Sequence, residues 1–461
     1  MNKKLSRRAV FQGILAAPFA AGLASAQTPA ELKVVSRIIE VNGRAVKIFG
    51  IVNGGGGNGL SLMLGERFRA RVKNGLDVET LLHWHGLNPP SAQDGVPMLS
   101  QAPLKPGESF DYDFVNTRSG THWMHSHVGL QEQQLLAAPL IVRETAEPLF
   151  DEQEHVVMLH DFTFRDPQEI LAELKGGGGG HAGHAMGGME MAMVNDVRFD
   201  AYLANDRTLA DPEVVSVGKA AQIRLRIING SAASNLWIDL GALQGELIAV
   251  DGNAVFPLKG SLFPLAIAQR ADIRVKLPEG NGAWPILFRP EGLSARTGIY
   301  LATHGAEIAR LASEGDVAPE VNLVQEMTLR SVAVLPPEPV TRTEILTLTG
   351  GGADYLWGLN GKSSMHDTIF TVRENERIEV IMQNQTGMAH PMHLHGHYFK
   401  VAAINNVAIE GALRDTVLVP PSTSVTIRFA ADNPGNWAFH CHHLYHMYAG
   451  MMGAIRYSSA A

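Results

Sequence analysis

Cysteine is almost absent: Cys441 is the only one in 461 residues. No intrachain disulfide can form, and the thiol needs another explanation. An excess of positive charge is missing too. Lys and Arg number 38 against 46 Asp and Glu, a formal charge of −8 with no basic tail. That excludes the electrostatic footprint of a nucleic-acid binder. Long apolar runs are lacking beyond the N-terminus. There, basic MNKKLSRR precedes AVFQGILAAPFAAGL, which is short for a membrane span, and Ala24-Ser25-Ala26 fits a small-residue cleavage site. Ser6-Arg7-Arg8 reads as a twin-arginine export signal. Residues 1–26 are therefore expected to be a signal peptide addressed to the periplasm, leaving no stable membrane insertion once cleaved. An exported protein that forgoes disulfides yet keeps one oxidisable thiol favours a metal at that thiol.

Glycine, by contrast, is abundant at 47 residues beside 24 prolines and 45% apolar content. This suits turn-rich β structure in a chain of roughly two to four domains. KVVSRIIEVNG and RAVKIFGIVNG are short alternating runs ended by Asn-Gly, a hairpin signal, and they open a first unit over residues 31–145. HVVMLHDFTF opens a second unit, 150–310. Within it, DPQEILAELKGG predicts one short helix with Asp166 as N-cap and Pro167 at its first position. GGGGGHAGHAMGGMEMAM, residues 176–193, is a low-complexity insert expected to form a loop. LASEGDVAPEVNLV reads as a linker, and a third unit spans 325–461.

That third unit echoes the first. RIEVIMQNQTG resembles RFRARVKNGL, HPMHLHGH resembles LHWHG, and NWAFHCHHL resembles THWMHSH. The same β-sandwich thus occurs twice, with a less histidine-rich version between. Each copy carries two His-x-His pairs: His83/His85 and His125/His127 in the first, His393/His395 and His440/His442 in the third. On a strand, alternate side chains share a face. Each pair projects both rings together, and eight imidazoles converge if the two copies pack face to face. Cys441 points away from His440 and His442, so one strand can serve two metal centres. His446 has room to turn back to the cysteine side, Met451 can cap it, and His390 is free to supply another imidazole. Imidazoles suit copper, zinc, iron or nickel, whereas thiolate plus thioether selects copper.

The motifs LHWHG, HWMHSH, HPMHLHGH and HCHHLYHMYAGM, in this order, closely resemble the signatures of the multicopper oxidases, the laccase and cuprous-oxidase family. The resemblance spans residues 31–458 and is nearest to copper-resistance oxidases, through THWMHSHVGLQEQQLLAAPLIV, RLRIINGSA and LYHMYAGM. It implies an all-β fold of three consecutive cupredoxin-like Greek-key β-sandwich domains and four copper ions. By this resemblance, His390, Cys441 and His446 bind the type 1 copper, with Met451 axial and Met452 a competitor in a shifted register. His83 and His393 hold the type 2 copper. His85, His125, His127, His395, His440 and His442 hold the type 3 pair. Cys441 and its peptide neighbours carry electrons to the cluster. Asp94, in SAQDGVPM, aligns with an acid that serves proton delivery; its other reading is an ordinary Asp-Gly turn. Two positions depart from relatives. Met447 stands where some carry an acid after the second type 1 histidine, and Thr386 where some cuprous oxidases hold substrate copper.

The implied activity is one-electron oxidation of a reductant coupled to four-electron reduction of O2 to water. Cu(I) oxidation in copper tolerance is the leading expectation, with laccase-type oxidation of phenols or aromatic amines the alternative; nothing in the sequence speaks for Mn(II). A copper nitrite reductase would have no use for the second histidine of each pair. A non-catalytic copper carrier would leave eight histidines unexplained. A near-ultraviolet shoulder beside the blue band distinguishes the type 3 pair from both. The insert has two open readings: a glycine linker, or a Cu(I)-capture loop built on His181, His184, Met186, Met189, Met191 and Met193. Met388 and Met392 flank His390, where substrate electrons enter. His122, His155, His160, His397 and His443 are expected to be structural, Trp84 and Trp123 core packing, and the protein a monomer.

Overall fold

A computed structural model describes residues 28–144, 152–176, 194–333 and 339–458. The signal-like N-terminus and insert residues 177–193 lie outside the described residues. What is described is almost wholly β, in three successive two-sheet sandwiches. Among the described residues no helix is long and apolar enough to cross a membrane.

Alternation builds the strands. Arg67–Asn74 buries every second residue, Phe68, Ala70, Val72 and Asn74. Its counterpart Arg377–Asn384 buries Ile378, Val380, Met382 and Asn384 in the same register. The asparagine ending each strand is fully buried and pins the loop that follows. Asn74 donates to the carbonyls of Val78 and Leu104, and Asn384 to those of Met388 and Val419. The sequence repeat is thus a structural repeat down to its buried polar groups.

Each sandwich contains two parallel strand pairs among antiparallel ones, which requires crossover connections between its sheets. In the first domain these are Ala30–Val41 with Arg67–Asn74 and Leu60–Met63 with Ala137–Arg143. In the second they are Glu152–Phe162 with Gln222–Asn229 and Glu213–Val217 with Thr297–Thr303. In the third they are Arg342–Gly351 with Arg377–Asn384 and Thr368–Val372 with Met452–Tyr457. The expected all-β fold of three cupredoxin-like sandwiches is what is found. The predicted helix forms as Pro167–Lys175, with the Asp166 side chain accepting from Gln168 N, and it buries Ile170, Leu171 and Leu174.

The domains meet through buried charge as well as apolar packing. Arg270, of the second domain, has no exposure; its Nε donates to Thr121 O of the first domain and its guanidinium pairs with Asp415 of the third at 2.5 Å. Arg414 sits beside it, pairing with Asp251 and with Glu326 of the chain that leaves the second domain. These contacts hold the first and third domains edge to edge, with the histidine strands lining the cleft between them.

Candidate metal centre

Strand pairing sets the donors side by side. In the first domain Leu82–His85 runs antiparallel to Gly120–Ser126 with His83 opposite His125. In the third, His390–Leu394 pairs with Asn436–Cys441, placing His393 opposite His440 and Met392 opposite Cys441. All eight His-x-His rings are buried, and they interleave across the domain boundary. His85 stacks on His393 with ring centroids 3.8 Å apart, and His83 lies over His395 at 3.9 Å. Their ligand atoms gather in triads such as His83/His85/His125 and His127/His395/His440. On the opposite flank His125 and His442 approach with centroids at 5.0 Å.

Most of these imidazoles are held by one nitrogen and offer the other. His83 Nδ1 donates to Asp94 O and His393 Nδ1 to Asp415 O, each at 2.8 Å. The Nε2 atoms of both are buried without a hydrogen-bond partner, as are those of His125 and His442. His85 is reversed: its Nε2 donates to Asp415 Oδ1 at 3.1 Å and its Nδ1 is the orphan. His395 Nδ1 donates to Asp94 Oδ2 and His440 Nδ1 to Cys441 O, yet their Nε2 atoms face each other at 2.9 Å. A neutral imidazole has one donor and one acceptor nitrogen, so these Nε2 lone pairs oppose one another. Only a cation between them resolves that conflict, and buried polar atoms without partners are otherwise rare. The residues fit metal ions bound by imidazole.

Burial, the largest cause, lowers the proton affinity of seven of the rings and favours their neutral form. His85, His125, His127, His393, His395 and His442 are pushed well below the ordinary range, and His440 to about 3.

On the other face of the same strand, Cys441 Sγ lies 3.6 Å from His390 Nδ1 and 3.9 Å from His446 Nδ1, which are 3.2 Å apart. All three are fully buried. Burial pushes the Cys441 thiol far up, so only a cation beside it makes the thiolate available at neutral pH. One thiol with two converging imidazoles is a donor set for copper. Met451 is fully buried, and its carbonyl accepts from Cys441 N. Met452 pairs with His440, so alternation puts Met451 on the cysteine side.

The other nitrogen of each imidazole here is also held. Thr386 Oγ1 accepts from His390 Nε2 at 2.7 Å, which gives that position a role in orienting the ring. Asp196 Oδ2 lies 3.3 Å from His446 Nε2, and its other oxygen 3.2 Å from His443 Nε2. Although burial would raise it, the facing His443 and His446 hold Asp196 well below the usual carboxylate range. Tyr355 donates to the same carboxylate, and Trp357 packs on the His446 ring at 4.1 Å.

Asp94 does two things at once. Its backbone makes the turn before Gly95, whose φ of +81° and closeness to Leu82 O forbid a side chain. Its carboxyl, 1% exposed, reaches His395 of the other domain. Sequence reasoning missed Asp415, which does the reciprocal thing: it holds His393 through its carbonyl and His85 of the first domain through its carboxylate. Asp196 was missed as well. An RDT tripeptide and an Asn-Asp after a loop carry no local signal.

The histidines expected to be structural have partners of their own. His155 meets Glu213, His160 donates to Gly230 O, and His397 bridges His395 O and Tyr457. His122 contacts Ser119 O. His443 differs, stacking on His446 with centroids 3.7 Å apart. Trp84 is core, beside Phe68 and Tyr112. Trp123 lies within the apolar contact between the first and second domains and also stacks on His125 at 4.2 Å, walling the cluster.

Comparison with known proteins agrees with this arrangement. Profiles described as multicopper oxidase match residues 35–147, 153–310 and 337–461. The multicopper oxidase MmcO of Mycobacterium tuberculosis is 31% identical, over 86% of this chain and 80% of its own length. Copper resistance protein A of Escherichia coli is 27% identical over 99% of this chain and all of its own. The crystal structure of a multicopper oxidase from Pseudomonas thermotolerans superposes with a TM-score of 0.72 at 25% identity, covering 93% of this chain and 98% of the other.

Proposed function

The chain belongs to the multicopper oxidase family, and from that premise we propose that it is a cuprous oxidase of the periplasm, exported by the twin-arginine route and acting as a monomer. His390, Cys441 and His446 would hold the type 1 copper with Met451 axial. His83 and His393 would hold the type 2 ion. His85, His125, His127, His395, His440 and His442 would hold the type 3 pair. Copper at these centres supplies one-electron oxidation of the reductant and four-electron reduction of O2 to water.

The observation that carries the reading is the position of Cys441. Its side chain belongs to one donor set while its peptide neighbours His440 and His442 belong to the other. A covalent path of a few bonds therefore joins the two sets. The rigid strand fixes that path, so no motion is needed for an electron to cross. Asp94, whose carbonyl meets His83 and whose carboxyl meets His395, would relay protons to the type 2 side.

Cu(I) as substrate is supported by where the His/Met-rich insert is anchored. Leu174 before it and Val197 after it share one apolar cluster with Cys441, Tyr445 and Met451. Asp196 follows the insert and touches His446. The likeness to copper resistance protein A points the same way. Oxidation of phenols is the second reading, favoured by the likeness to laccases such as Laccase-1 of Fomitopsis schrenkii, 28% identical over 84% of this chain.

The test is steady-state O2 uptake by the copper-loaded protein with Cu(I) and with a dimethoxyphenol, in wild type and with residues 181–193 deleted. A cuprous oxidase with a capture loop loses Cu(I) turnover on deletion and gains on the phenol. Unchanged Cu(I) turnover together with good phenol oxidation in wild type would give the laccase reading precedence.

A further inference from the structure

Glu132 is a buried acid without a cation. It lies in the turn between Gly120–Ser126 and Ala137–Arg143, and its side chain is 2% exposed. Among the described residues the basic groups recorded against its carboxyl are imidazoles. Oε2 lies 3.0 Å from His125 Nδ1, and Oε1 lies 3.7 Å from His442 Nδ1 with no hydrogen-bond partner. His125 Nδ1 has a second acceptor, Ser126 O at 3.1 Å. Burial, with Asp161 nearby, pushes the Glu132 carboxyl well above its ordinary range. Its two oxygens thus face the backs of two rings whose opposite nitrogens, Nε2, are orphaned in the cluster.

We propose that Glu132 is a positioning residue for the imidazole cluster: one carboxyl, supplied by the first domain, orients a ligand from each of two domains, His125 and His442. The proposal rests on the multicopper oxidase reading of the site. At His125, a carboxylate oxygen 3.0 Å from Nδ1 selects the tautomer whose Nε2 lone pair faces inward, and at His442 the nearer oxygen, 3.7 Å from Nδ1, favours the same tautomer electrostatically. A carboxyl on the far side of a metal-bound imidazole also makes the ring a stronger donor. A cation bound at Nε2 would lie across the same rings from the carboxyl. The carboxyl and the metal thus stabilise each other through the rings. Trp123, stacked on His125, keeps that ring from rotating away.

The test compares wild type, Glu132→Gln and Glu132→Leu after copper loading. Copper per chain, the blue band, the near-ultraviolet shoulder and copper loss to a chelator are followed. In Glu132→Leu the blue band should persist while the shoulder disappears and cluster copper is held about 10–100-fold less tightly. Glu132→Gln keeps an acceptor oxygen without the charge and should fall between the two. A Leu variant with the wild-type shoulder and copper retention overturns the proposal. If the Leu variant loses the blue band as well, it has not folded, and Gln decides: weaker cluster retention supports the role, and wild-type retention overturns it. A wild type that takes up copper yet shows neither band would defeat the multicopper reading itself, independently of the variants.

Discussion

The first and third domains present the same two histidine strands to one cleft but complete them differently. In the first domain Ser126 stands between His125 and His127 where Cys441 stands between His440 and His442, and its hydroxyl donates to the buried Gln131 Oε1. In the third, Cys441 on that face forms a donor set with His390 and His446. Their acids are exchanged as well. Asp94 steadies His395, and Asp415 steadies His85. Asp415 is locked by the buried Arg270, whereas Asp94 touches only imidazoles among its recorded charged partners. On the proposed function, the third-domain copy would supply the electron entry point and the first-domain copy an acid not tied up in an ion pair, so that the cluster would draw on both.

The largest expected effect comes from erasing the difference. Cys441→Ser should abolish the blue band and steady-state O2 uptake while leaving the near-ultraviolet shoulder, because the strand and its outward histidines remain. Persistence of turnover would break the proposed route. The two acids should separate next. Asp415→Asn leaves Arg270, which has no exposure, without its main partner and should cost about 3–5 kcal/mol of stability, read as a lower Tm of the copper-free protein. Asp94→Asn should leave Tm nearly unchanged and slow O2 uptake by about 10–100-fold. Equal Tm losses in the two variants would show that the acids are equivalent after all.

A smaller effect concerns pH. His446 and His160 are held down to about 4 and His122 and His440 to about 3, chiefly by burial. The unfolded chain binds their protons near pH 6.5, so between the two values unfolding takes up protons and acid favours it. Their stabilising contribution is complete above about pH 6.5 and is lost as pH falls toward 4 for His446 and His160 and toward 3 for His122 and His440, on the order of 3–5 kcal/mol per histidine at full effect. Tm of the copper-free protein should fall across that window. Copper-loaded protein should hold its Tm to lower pH, since the metal competes with the proton for the same lone pairs.

Much of this was legible in advance because strand alternation is local. A period of two puts His83 with His85 and His440 with His442 on one face and Cys441 on the other whatever the rest of the chain does. The short helix was readable from Asp166 and Pro167 for the same reason. Thr386 was seen only as a departure from relatives, and the structure gives it a hydrogen bond to His390. Asp415 and Asp196 were invisible because their partners lie far off in the chain: Asp415 is 330 residues from His85, and Asp196 is 250 from His446; Glu132 was invisible because only the fold brings His442 to the carboxyl that meets nearby His125.

The sequence by itself determined the donors, their grouping by face and the duplication that brings eight imidazoles to one cleft, since these follow from residue identity and backbone period. Only the tertiary structure decided which nitrogen of each ring is free. That choice is made by whichever acceptor the packing delivers to the other nitrogen: the carbonyl of Asp94 in the same domain for His83, the carboxylate of Asp415 in the third domain for His85. Which acceptor arrives depends on how loops and domains pack, and no local pattern encodes it.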